Sequence, residues 1–371
     1  MADFHDLTVR SVDRQTPEAV AITLTVPDAL RDAYTYVSGQ YLNFKIDVDG
    51  ETHHRSYSLC SSPYTGEDIQ VAVKAIPDGT VSNHFNTKLS AGDVLRVSEP
   101  MGNFTLEPDP DASNHYILFG GGSGITPLYS ILKTVLIKEP NSRVTLFYGN
   151  RNGDSIIFLR GLTKLTVDHG NRFRLVHVFD QPRKKKGLFR STSLETLDHE
   201  EGLMTKKAVL QLLKRYTDMN FQSTRFYLCG PSPMMKEVNM ALNEIAIPES
   251  RIHQEYFTAK EDSEQEAAQV GDAGDGDFDG TATVHCHLDG EEASFSMNES
   301  STVLDAALDN NVDAPFACMV GACTTCKAKL LEGSVHMDDS DALLPSEIEA
   351  GYVLTCQSHP RTSVIRIDYD A

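Results

Sequence analysis

Four cysteines near the end of the chain have the spacing of metal ligands. Cys318, Cys323 and Cys326 follow the pattern C-x4-C-x2-C, and Cys356 comes after 29 intervening residues. This is the plant-type arrangement in which four thiolates hold a [2Fe-2S] cluster. Small residues between the first three cysteines let backbone N–H groups approach the inorganic sulfide and tune the reduction potential. A structural zinc site or disulfides are the alternative, although zinc sites favour two short C-x2-4-C pairs.

Because such a cluster carries one electron at a time, the rest of the chain should supply electrons, receive them, or both. The segment Arg55-Ser56-Tyr57-Ser58 closes a predicted strand and offers suitable groups. An arginine fork suits a pyrophosphate, an aromatic side chain suits a flat ring, and a hydroxyl can hydrogen-bond a ring nitrogen. Alone the segment would indicate only an ordinary strand end. The segment Gly79-Thr80-Val81-Ser82 adds backbone N–H groups and a hydroxyl for phosphate.

A glycine-rich stretch joins a predicted strand to a predicted helix and reads GGGSGITP from Gly120 to Pro127. Glycines let a backbone approach a pyrophosphate, and Pro127 at a helix start leaves the first-turn N–H groups aimed at the anion. The stretch lacks the dinucleotide G-x-G-x-x-G register, and a tight turn without a ligand is the alternative. Its position between a strand and a helix favours phosphate binding.

Two stretches of different texture must position these residues. Residues 1–108 read as short strands with period-two apolar spacing, which predicts an antiparallel barrel. From residue 115 strands alternate with helices, which predicts a parallel sheet with helices on both faces and ligands beyond the carboxyl ends of the strands. The predicted strands are 115–119, 144–148, 173–179, 225–229 and 252–257. The predicted helices lie near 127–138, 154–165, 205–216 and 232–246.

The last part of the chain begins with an unusual segment. Residues 258–280 are acidic and glycine-rich with a single aromatic, so they cannot bury enough apolar surface to order themselves and predict a flexible tether. Strands at 281–288 and 293–297 are expected next. A short helix that Ser301 is expected to cap leads into the cluster loop.

The net charge of −20 is concentrated at the end of the chain. Residues 281–371 carry 15 acidic and 4 basic side chains, and residues 258–280 carry 8 and 1. This distribution argues against nucleic acid and anionic membranes and for steering toward a basic protein surface, although a merely solubilising surface explains it equally well. No apolar run approaches the roughly 18 residues that a membrane span needs. The polar N-terminus and the three cysteines beyond the four ligands predict a reducing, cytoplasmic setting.

In chain order, Arg-x-Tyr-Ser, the glycine-rich G-x-T-P, Cys229-Gly230-Pro231 and the terminal cluster motif resemble the ferredoxin-reductase superfamily in its three-domain form. Within it, the chain looks most like the reductase subunits of phenylacetyl-CoA epoxidases and their relatives among oxygenase reductases. The resemblance covers nearly the whole chain except the tether and residues 180–204. It implies a Greek-key FAD-binding β-barrel at 1–108, a nucleotide-binding α/β domain at 109–257, a flexible linker at 258–280 and a β-grasp ferredoxin domain at 281–371.

The resemblance also implies roles for individual residues. Those expected to contact FAD are Arg55, Tyr57, Ser58, Lys74, Gly79, Val81 and Ser82. Those expected to hold the pyrophosphate and ribose of the nicotinamide nucleotide are Gly121, Gly122, Gly124, Thr126 and Pro127. Tyr57 would lie against the isoalloxazine and Ser58 near its reactive nitrogen.

Further roles concern the meeting point of the two cofactors. The segment Cys229-Gly230-Pro231 would lie where nicotinamide meets flavin, and a plain buried thiol is the alternative for Cys229. Glu255 and Phe257 match the family's closing glutamate-x-aromatic, with Phe257 near the flavin. Together with Ser58, Cys229 and Glu255 are the expected catalytic residues.

The resemblance implies less about the cluster and the nucleotide. Cys318 and Cys323 would bind the iron nearer the surface, and Cys326 and Cys356 the inner one. The pair Asn150-Arg151 follows the second sheet strand, where an arginine can meet a 2′-phosphate and an acid would favour the plain ribose. Related reductases that read YGNR here are similar to NADPH users, so NADPH is favoured over NADH. The basic run Arg183–Lys186 could form a second phosphate or partner patch, but a solvated insertion is the simpler interpretation.

The implied electron path runs from NADPH to FAD, then singly to the cluster and on to a separate acceptor. The expected acceptor is a di-iron oxygenase acting on an aryl-CoA thioester such as phenylacetyl-CoA. The reductase component of a Rieske-type or other hydroxylase or desaturase would share every motif. Two other classes stay open: a colourless zinc-stabilised interaction module, and a redox sensor that does not sustain NADPH-driven reduction of cytochrome c or ferricyanide.

We expect Cys323→Ser to abolish cytochrome c reduction, because a missing thiolate removes the exit for single electrons. Ferricyanide reduction should be retained, since the flavin can serve that acceptor directly. Steady-state assays of both acceptors with the same purified flavoprotein check this. Equal loss of the two activities would contradict the proposed electron order.

Overall fold

The computed structural model describes residues 4–77, 79–181, 199–257, 268–271, 278–316, 321, 324–338, 340, 343 and 345–371. The chain divides into two compact units, residues 2–256 and residues 257–371. Three predicted features lie wholly or partly outside the described residues. They are the basic run at 183–186, the ligands Cys318 and Cys323, and most of the predicted tether at 258–280. In the part of the chain that is described, no helix is long and apolar enough to cross a membrane.

The first half of the first unit is an antiparallel barrel. Its strands are β1 (Phe4–Thr16), β2 (Ala19–Thr25), β3 (Tyr41–Val48), β4 (Glu51–Ser58), β5 (Gln70–Lys74) and β6 (Val94–Ser98). They are ordered β4-β3-β6-β1-β2-β5, and a bridge between Leu59 and Val71 joins the two edges. Val20, Ile22 and Leu24 alternate along β2 and are buried, as the period-two pattern predicts. The predicted barrel is confirmed.

The sequence prediction omits the long strand β1 and the helix α1 (Thr80–Thr87) from the barrel domain. Val81 and Phe85 are the only apolar side chains that α1 buries. One such i, i+4 pair in a polar octapeptide is too weak a helical signal. Phe85 is completely buried, with its ring centroid 6.0 Å from that of Phe44. Tertiary packing therefore stabilises this helix more than its local sequence does.

The second half of the first unit is a parallel α/β domain. Its strands are β7 (His115–Gly121), β8 (Arg143–Asn150), β9 (Phe173–Phe179), β10 (His199–Glu201), β11 (Thr224–Cys229) and β12 (Ile252–Glu255). Its helices are α2 (Ile125–Lys138), α3 (Leu159–His169), α4 (Lys206–Tyr216) and α5 (Ser232–Glu244). The predicted alternation is confirmed. Two details differ: the edge strand β10 is additional, and α3 begins later than predicted.

The strand order β10-β9-β8-β7-β11-β12 reverses direction at β7. β7 is buried along its whole length, which is typical of a central parallel strand. The glycine-rich stretch follows β7, and Gly230 follows the neighbouring strand β11. Ligands of open α/β sheets bind at such a reversal, beyond the carboxyl ends of the strands. The topology thus brings both predicted nucleotide loops to one place.

A buried seam of hydroxyl groups joins the barrel to α2. Thr134 Oγ1 of α2 hydrogen-bonds Ser38 Oγ and, at 2.7 Å, Ser62 Oγ of the barrel. Ser130 Oγ donates to the Ser61 carbonyl at 2.5 Å. The hydroxyl-bearing residues on both sides are completely buried. Directional bonds in a dry interface fix the relative orientation of the two domains.

An ion pair lies beside this seam. The Lys133 ammonium of α2 contacts the Glu67 carboxylate of the barrel, and Lys133 is almost completely buried. Burial by itself would raise the pKa of Glu67, but Lys133, together with hydrogen bonds from the Thr65 hydroxyl and the Ser62 N–H, outweighs burial and lowers it. The Glu67 carboxylate is therefore ionised at neutral pH, and its contact with Lys133 adds a second directional contact between the domains.

The second unit contains two small sheets. Its strands are β13 (Ala268–Gly271), β14 (Thr281–Leu288), β15 (Glu291–Asn298), β16 (Lys327–Glu332), β17 (Ser334–Met337), β18 (Tyr352–Leu354), β19 (Ser358–Pro360) and β20 (Val364–Asp368). Its helices are α6 (Val303–Asp309) and α7 (Pro345–Glu349). The larger sheet has the order β15-β14-β20-β16-β18, with a parallel β14–β20 pair at its centre and antiparallel pairs elsewhere. Val303, Leu304 and Ala307 of α6 are buried in the core. This is the expected β-grasp domain.

Two predictions for this region are corrected. The segment predicted as a tether is not irregular throughout, because β13 pairs antiparallel with β17 and Val270 is buried in the core. A lone valine among glycine and polar residues gives no local strand signal. Ser301 is not the cap of α6: Thr302 takes that position, and its Oγ1 accepts from the Asp305 N–H at 3.1 Å. Both residue types can cap a helix, so the register of α6 decides between them.

Removing the central hydroxyl of the seam tests its contribution to stability. Thr134→Val keeps the shape of the side chain but leaves Ser38 and Ser62 each without one hydrogen-bond partner. We expect the free energy of unfolding to fall by about 1–3 kcal/mol. Chemical denaturation of the holoprotein followed by circular dichroism measures this. The matched control is Thr163→Val, whose hydroxyl is on the exposed face of α3 and whose loss should change stability by less than about 0.5 kcal/mol. Equal losses in the two variants would contradict the role of the seam.

Candidate functional site

The end of β4 presents three of the predicted flavin contacts. Arg55 and Tyr57 lie on one face of the strand and Ser58 on the other, as strand alternation requires. The Tyr57 ring lies 5.5 Å from Phe44 and 5.7 Å from Phe85, between centroids. Burial raises the pKa of the Tyr57 hydroxyl. Arg55 is exposed on the same face of the strand. An aromatic ring that is packed on two others therefore lies next to a guanidinium, which fits a flat ring that carries a phosphate.

The turn before α1 fits an anion. Gly79 caps α1, and a Cβ atom there would lie 2.4 Å from Ser82 Oγ and 2.5 Å from Ile76 Cγ1. Ser82 Oγ accepts from the Ile76 N–H at 3.3 Å and donates to the Gly79 carbonyl at 3.4 Å. Val81 is buried in the barrel core and can offer only its backbone N–H to a ligand. First-turn N–H groups have no acceptor within a helix, so this turn suits a phosphate.

Glycines let the loops after β7 and β11 touch. A Cβ atom on Gly124 would lie 2.1 Å from the Cys229 carbonyl oxygen and 2.7 Å from the Gly230 nitrogen. A Cβ atom on Gly121 would lie 2.6 Å from Pro231 Cδ. These glycines were predicted to let a pyrophosphate approach the backbone. The structure shows that Gly121 and Gly124 also let the two loops pack against each other.

Gly122 has open space in front of it. Its φ is +52°, and a Cβ atom there would meet only Lys74 Nζ, at 3.7 Å. Burial first, and then the nearby Arg151, lower the pKa of Lys74. Lys74 was predicted at the FAD phosphates, and its position beside the nucleotide loop lets it meet a phosphate of either cofactor.

Thr126 and Pro127 form the first turn of α2 and are both buried. Thr126 Oγ1 donates to the Ser123 carbonyl at 3.0 Å. Proline is tolerated at this position because its missing N–H would have no acceptor in the helix. This geometry supports a role for both residues in shaping the loop. A ligand would then be bound by backbone N–H groups of the loop rather than by these side chains.

The three predicted catalytic residues come together from distant parts of the sequence. Ser58 Oγ donates to Glu255 Oε2 at 3.2 Å, and Cys229 on β11 is the paired neighbour of Glu255 on β12. Cys229 is fully buried, and desolvation together with Glu255 raises the pKa of its thiol well above the ordinary value. The thiol is therefore neutral at physiological pH. Phe257 is half-buried and belongs to the second unit.

Asn150 and Arg151 stand at the carboxyl end of β8. Asn150 is buried, and in the described part of the chain its Nδ2 has no hydrogen-bond partner. A buried amide without an acceptor is costly, so this position suits a polar ligand. Arg151 forms an ion pair with Glu18, which lies between β1 and β2. The arginine that was predicted to bind a 2′-phosphate is thus already paired with a carboxylate of the barrel.

Two of the four predicted cluster ligands are described. Cys326 and Cys356 are both buried, and the Thr355 N–H donates to the Cys326 carbonyl at 3.2 Å, which joins their segments. Gln357 Nε2 donates to Cys356 Sγ at 3.7 Å. None of the five cysteines in the described ranges forms a disulfide. Buried sulfur atoms beside an N–H donor fit thiolate-bound iron.

Three residues at these sites were missed by the sequence analysis. The Tyr148 hydroxyl donates to the Gly122 carbonyl at 2.9 Å, Glu18 pairs with Arg151, and Gln357 donates to a ligand sulfur. The partners of Tyr148 and Glu18 are far away in sequence, so no local motif marks these two. Only Gln357 had a local signal, its position next to a ligand cysteine.

Three family models match successive parts of the chain. The oxidoreductase FAD-binding domain matches residues 8–106, and the oxidoreductase NAD-binding domain matches residues 118–240. The 2Fe-2S iron-sulfur cluster binding domain matches residues 286–361. The order is the predicted one, and the third match decides for an iron-sulfur cluster over zinc.

The curated relatives match the chain from end to end. It is 36% identical to one of the subunits of the 1,2-phenylacetyl-CoA epoxidase of Escherichia coli K12, and the alignment covers 100% of this chain and 99% of that protein. The chain belongs to the ferredoxin-reductase superfamily, as an oxygenase reductase. The reductase is also 36% identical to the ferredoxin reductase component of the 3-ketosteroid-9-alpha-monooxygenase of Rhodococcus rhodochrous, with 98% of this chain and 96% of that one covered.

A solved structure supports the fold of the reductase. Phthalate dioxygenase reductase matches with a TM-score of 0.68 over 98% of both chains, at 21% sequence identity. At this identity the likeness concerns the fold alone. The family models give a reductase that uses FAD, a nicotinamide nucleotide and a [2Fe-2S] cluster, and the sites at β4, the glycine loop and Cys356 fit these groups.

The contact between the two nucleotide loops can be tested with one methyl group. Gly124→Ala should slow reduction of the bound flavin by nucleotide at least about tenfold, because the loops must separate and a displacement near 1 Å is costly in rate. Anaerobic stopped-flow absorbance of the flavin measures this. Gly170→Ala is the control, since a Cβ atom there meets nothing within 4 Å and only the positive φ is strained. A Gly124→Ala protein that is reduced at the wild-type rate would show that the contact is dispensable.

Proposed function

We propose that this reductase delivers electrons from NADPH to the oxygenase component of a phenylacetyl-CoA epoxidase. The observation that carries the proposal is the end-to-end match, at 36% identity, to the relative from the Escherichia coli epoxidase. The acceptor would be a di-iron oxygenase acting on an aryl-CoA thioester. We also propose a cytoplasmic setting, which the buried thiols of Cys60, Cys229 and Cys286 support.

The chain's part in the chemistry is to position its cofactors. Bound FAD exchanges electrons both in pairs and singly, and the cluster carries them one at a time. We propose that the isoalloxazine lies against the ring of Tyr57. The packing of the Tyr57 ring on Phe44 and Phe85 supports this assignment. Arg55 and the turn at Gly79–Ser82 would hold the FAD phosphates by charge and by first-turn N–H groups.

We assign Cys229, Ser58 and Glu255 to the place where nicotinamide meets flavin. A buried, neutral thiol offers an apolar and water-free surface, since burial raises the pKa of Cys229 well above the working pH. Ser58 holds its hydroxyl proton toward Glu255 Oε2 at 3.2 Å. This bond orients both side chains and excludes water between them. Phe257 stays a predicted flavin contact.

We assign the glycine loop at Gly120–Gly124, with Lys74 and Asn150, to the nucleotide. The open space at Gly122 and the adjacent ammonium of Lys74 support a pyrophosphate there. Arg151 would meet the 2′-phosphate, and the preference for NADPH over NADH rests on this residue. The Glu18 carboxylate, which pairs with Arg151 in the structure, would have to be displaced when the 2′-phosphate binds.

We assign all four cysteines of the C-x4-C-x2-C and Cys356 pattern to the cluster. The side-chain amide of Gln357, which donates to Cys356 Sγ, supports a thiolate there, because hydrogen bonds to ligand sulfur stabilise the reduced, more negative cluster. The acidic segment before β13 is proposed as the tether that raises the effective concentration of the cluster domain at the flavin and at the partner.

A second candidate function is electron supply to a Rieske-type or other hydroxylase system. It is favoured by the 36% identity to the ketosteroid monooxygenase component, which equals the identity to the epoxidase relative. The site described above would serve either oxygenase, so the choice depends on the docking partner.

Steady-state oxidation of NADPH with candidate oxygenases separates the two functions. We expect the rate to rise severalfold when the epoxidase oxygenase component and phenylacetyl-CoA are added, because electrons then leave through the cluster. The same oxygenase without its substrate, and NADH in place of NADPH, are the controls. Acceleration by a ketosteroid or Rieske-type oxygenase, with none by the epoxidase component, would overturn the assignment in favour of the second candidate.

A further inference from the structure

The contact between Glu18 and Arg151 links the barrel to the residue assigned to the nucleotide's 2′ position. Glu18 lies in the turn between β1 and β2, where its N–H donates to Thr16 Oγ1 at 3.2 Å. Its carbonyl accepts from the Ala75 N–H, next to the end of β5, at 2.7 Å. The backbone of Glu18 is thus held at both polar groups, which gives the carboxylate a defined place.

The backbone of Arg151 is also fixed. The Asn150 carbonyl accepts from the Asp180 N–H at 3.2 Å, and the Arg151 carbonyl accepts from the Gln181 N–H at 2.9 Å. The side chains of Arg151 and Glu18 are 46% and 45% exposed. Their ion pair therefore joins two fixed backbones, yet an anion arriving from solvent can reach it.

Lys74 belongs to the same charged group. After burial, the charges that act on the pKa of Lys74 are Arg151, which lowers it, and Glu18, which raises it. Lys74 lies beside the glycine loop at Gly122, and the Arg151–Glu18 ion pair is close enough to act on its charge. A 2′-phosphate that approaches Arg151 meets Glu18 both as a competitor for the guanidinium and as a like charge.

We propose that Glu18 is a specificity-determining residue that sets the discrimination between nucleotides carrying a 2′-phosphate and those carrying a 2′-hydroxyl. NADPH must displace the Glu18 carboxylate from Arg151, whereas NADH leaves the ion pair intact. The inference rests on the role of Arg151 under the proposed function. The inference holds whichever nucleotide the wild-type protein prefers, because it concerns only the direction in which Glu18 shifts the preference between NADPH and NADH.

The exposure of the pair bounds the size of the effect. Exposed ion pairs change an equilibrium constant by a factor of a few, about fivefold at most. Removing a negative charge close to a dianionic phosphate adds to that factor at low salt and less at high salt. The expected change in discrimination is therefore about three- to tenfold.

The test is Glu18→Gln in the full-length holoenzyme. The ratio of kcat/KM for NADPH to that for NADH should rise about three- to tenfold, and the change should come from a lower KM for NADPH rather than from kcat. Inhibition by 2′,5′-ADP should tighten by a similar factor, while inhibition by 5′-ADP should not change. The inhibition constants report binding at the 2′ position, which a merely structural effect would not separate from binding at the diphosphate.

Two controls isolate the pair. Asp68→Asn removes the carboxylate of another exposed barrel ion pair, the one with Arg10, in which Asp68 is 38% exposed, and it should leave the ratio unchanged. Arg151→Gln should lower the ratio, and adding Glu18→Gln in that background should have a clearly smaller effect, limited to the like-charge repulsion and lost at high salt, because the competition acts through Arg151.

Each result decides the question. An unchanged or lowered ratio in Glu18→Gln, an equal rise in Asp68→Asn, or a full effect of Glu18→Gln without Arg151 would overturn the inference. If Arg151→Gln itself leaves the ratio unchanged, the proposed role of Arg151 fails first. If Arg151→Gln lowers the ratio but Glu18→Gln does nothing, only the inference fails.

Discussion

The nucleotide-binding domain of this reductase depends on two loops that are in direct backbone contact at Gly124. A Cβ atom on Gly124 would fall 2.1 Å from the carbonyl oxygen of Cys229. The obstacle is backbone, so no rotamer change can relieve it, and only glycine fits. This contact lies where the strand order of the parallel sheet reverses, at β7. It brings the neutral thiol of Cys229 next to the loop that is assigned to the nucleotide's phosphates.

The hydroxyl seam between the barrel and α2 has the complementary task of fixing one domain against the other. An apolar interface of the same size could slide, whereas hydrogen bonds through Thr134 and Ser130 are directional and buried. The orientation that results places Ser58 of the barrel within hydrogen-bond distance of Glu255 at the end of the parallel sheet. The same orientation brings Glu18 to Arg151. The contacts at the proposed flavin site and at the proposed nucleotide site thus both depend on this orientation of the two domains.

Local sequence patterns predicted the elements that are rich in buried apolar residues. They missed the elements that depend on packing against distant parts of the chain. The central strands of the α/β domain are rich in apolar residues and alternate with helical patterns, so their existence could be predicted from the sequence. Helix α1 carries a single apolar pair, and β13 carries one valine, so packing against the barrel and against β17 was needed to form them. In the site, motifs marked Arg55 and Tyr57, but nothing marked Glu18, because its partner is a residue of the other domain.

By itself the sequence determined the chemistry of the ligands. Cysteine spacing predicts a thiolate-bound cluster, and a glycine stretch between a strand and a helix predicts an anion site, since both depend on residue type and short-range geometry. Only the tertiary structure decided which groups share a space, such as Ser58 with Glu255 and Glu18 with Arg151. Such pairs depend on strand register and on the angle between domains. These are set by the packing of whole surfaces, which no short stretch of sequence encodes.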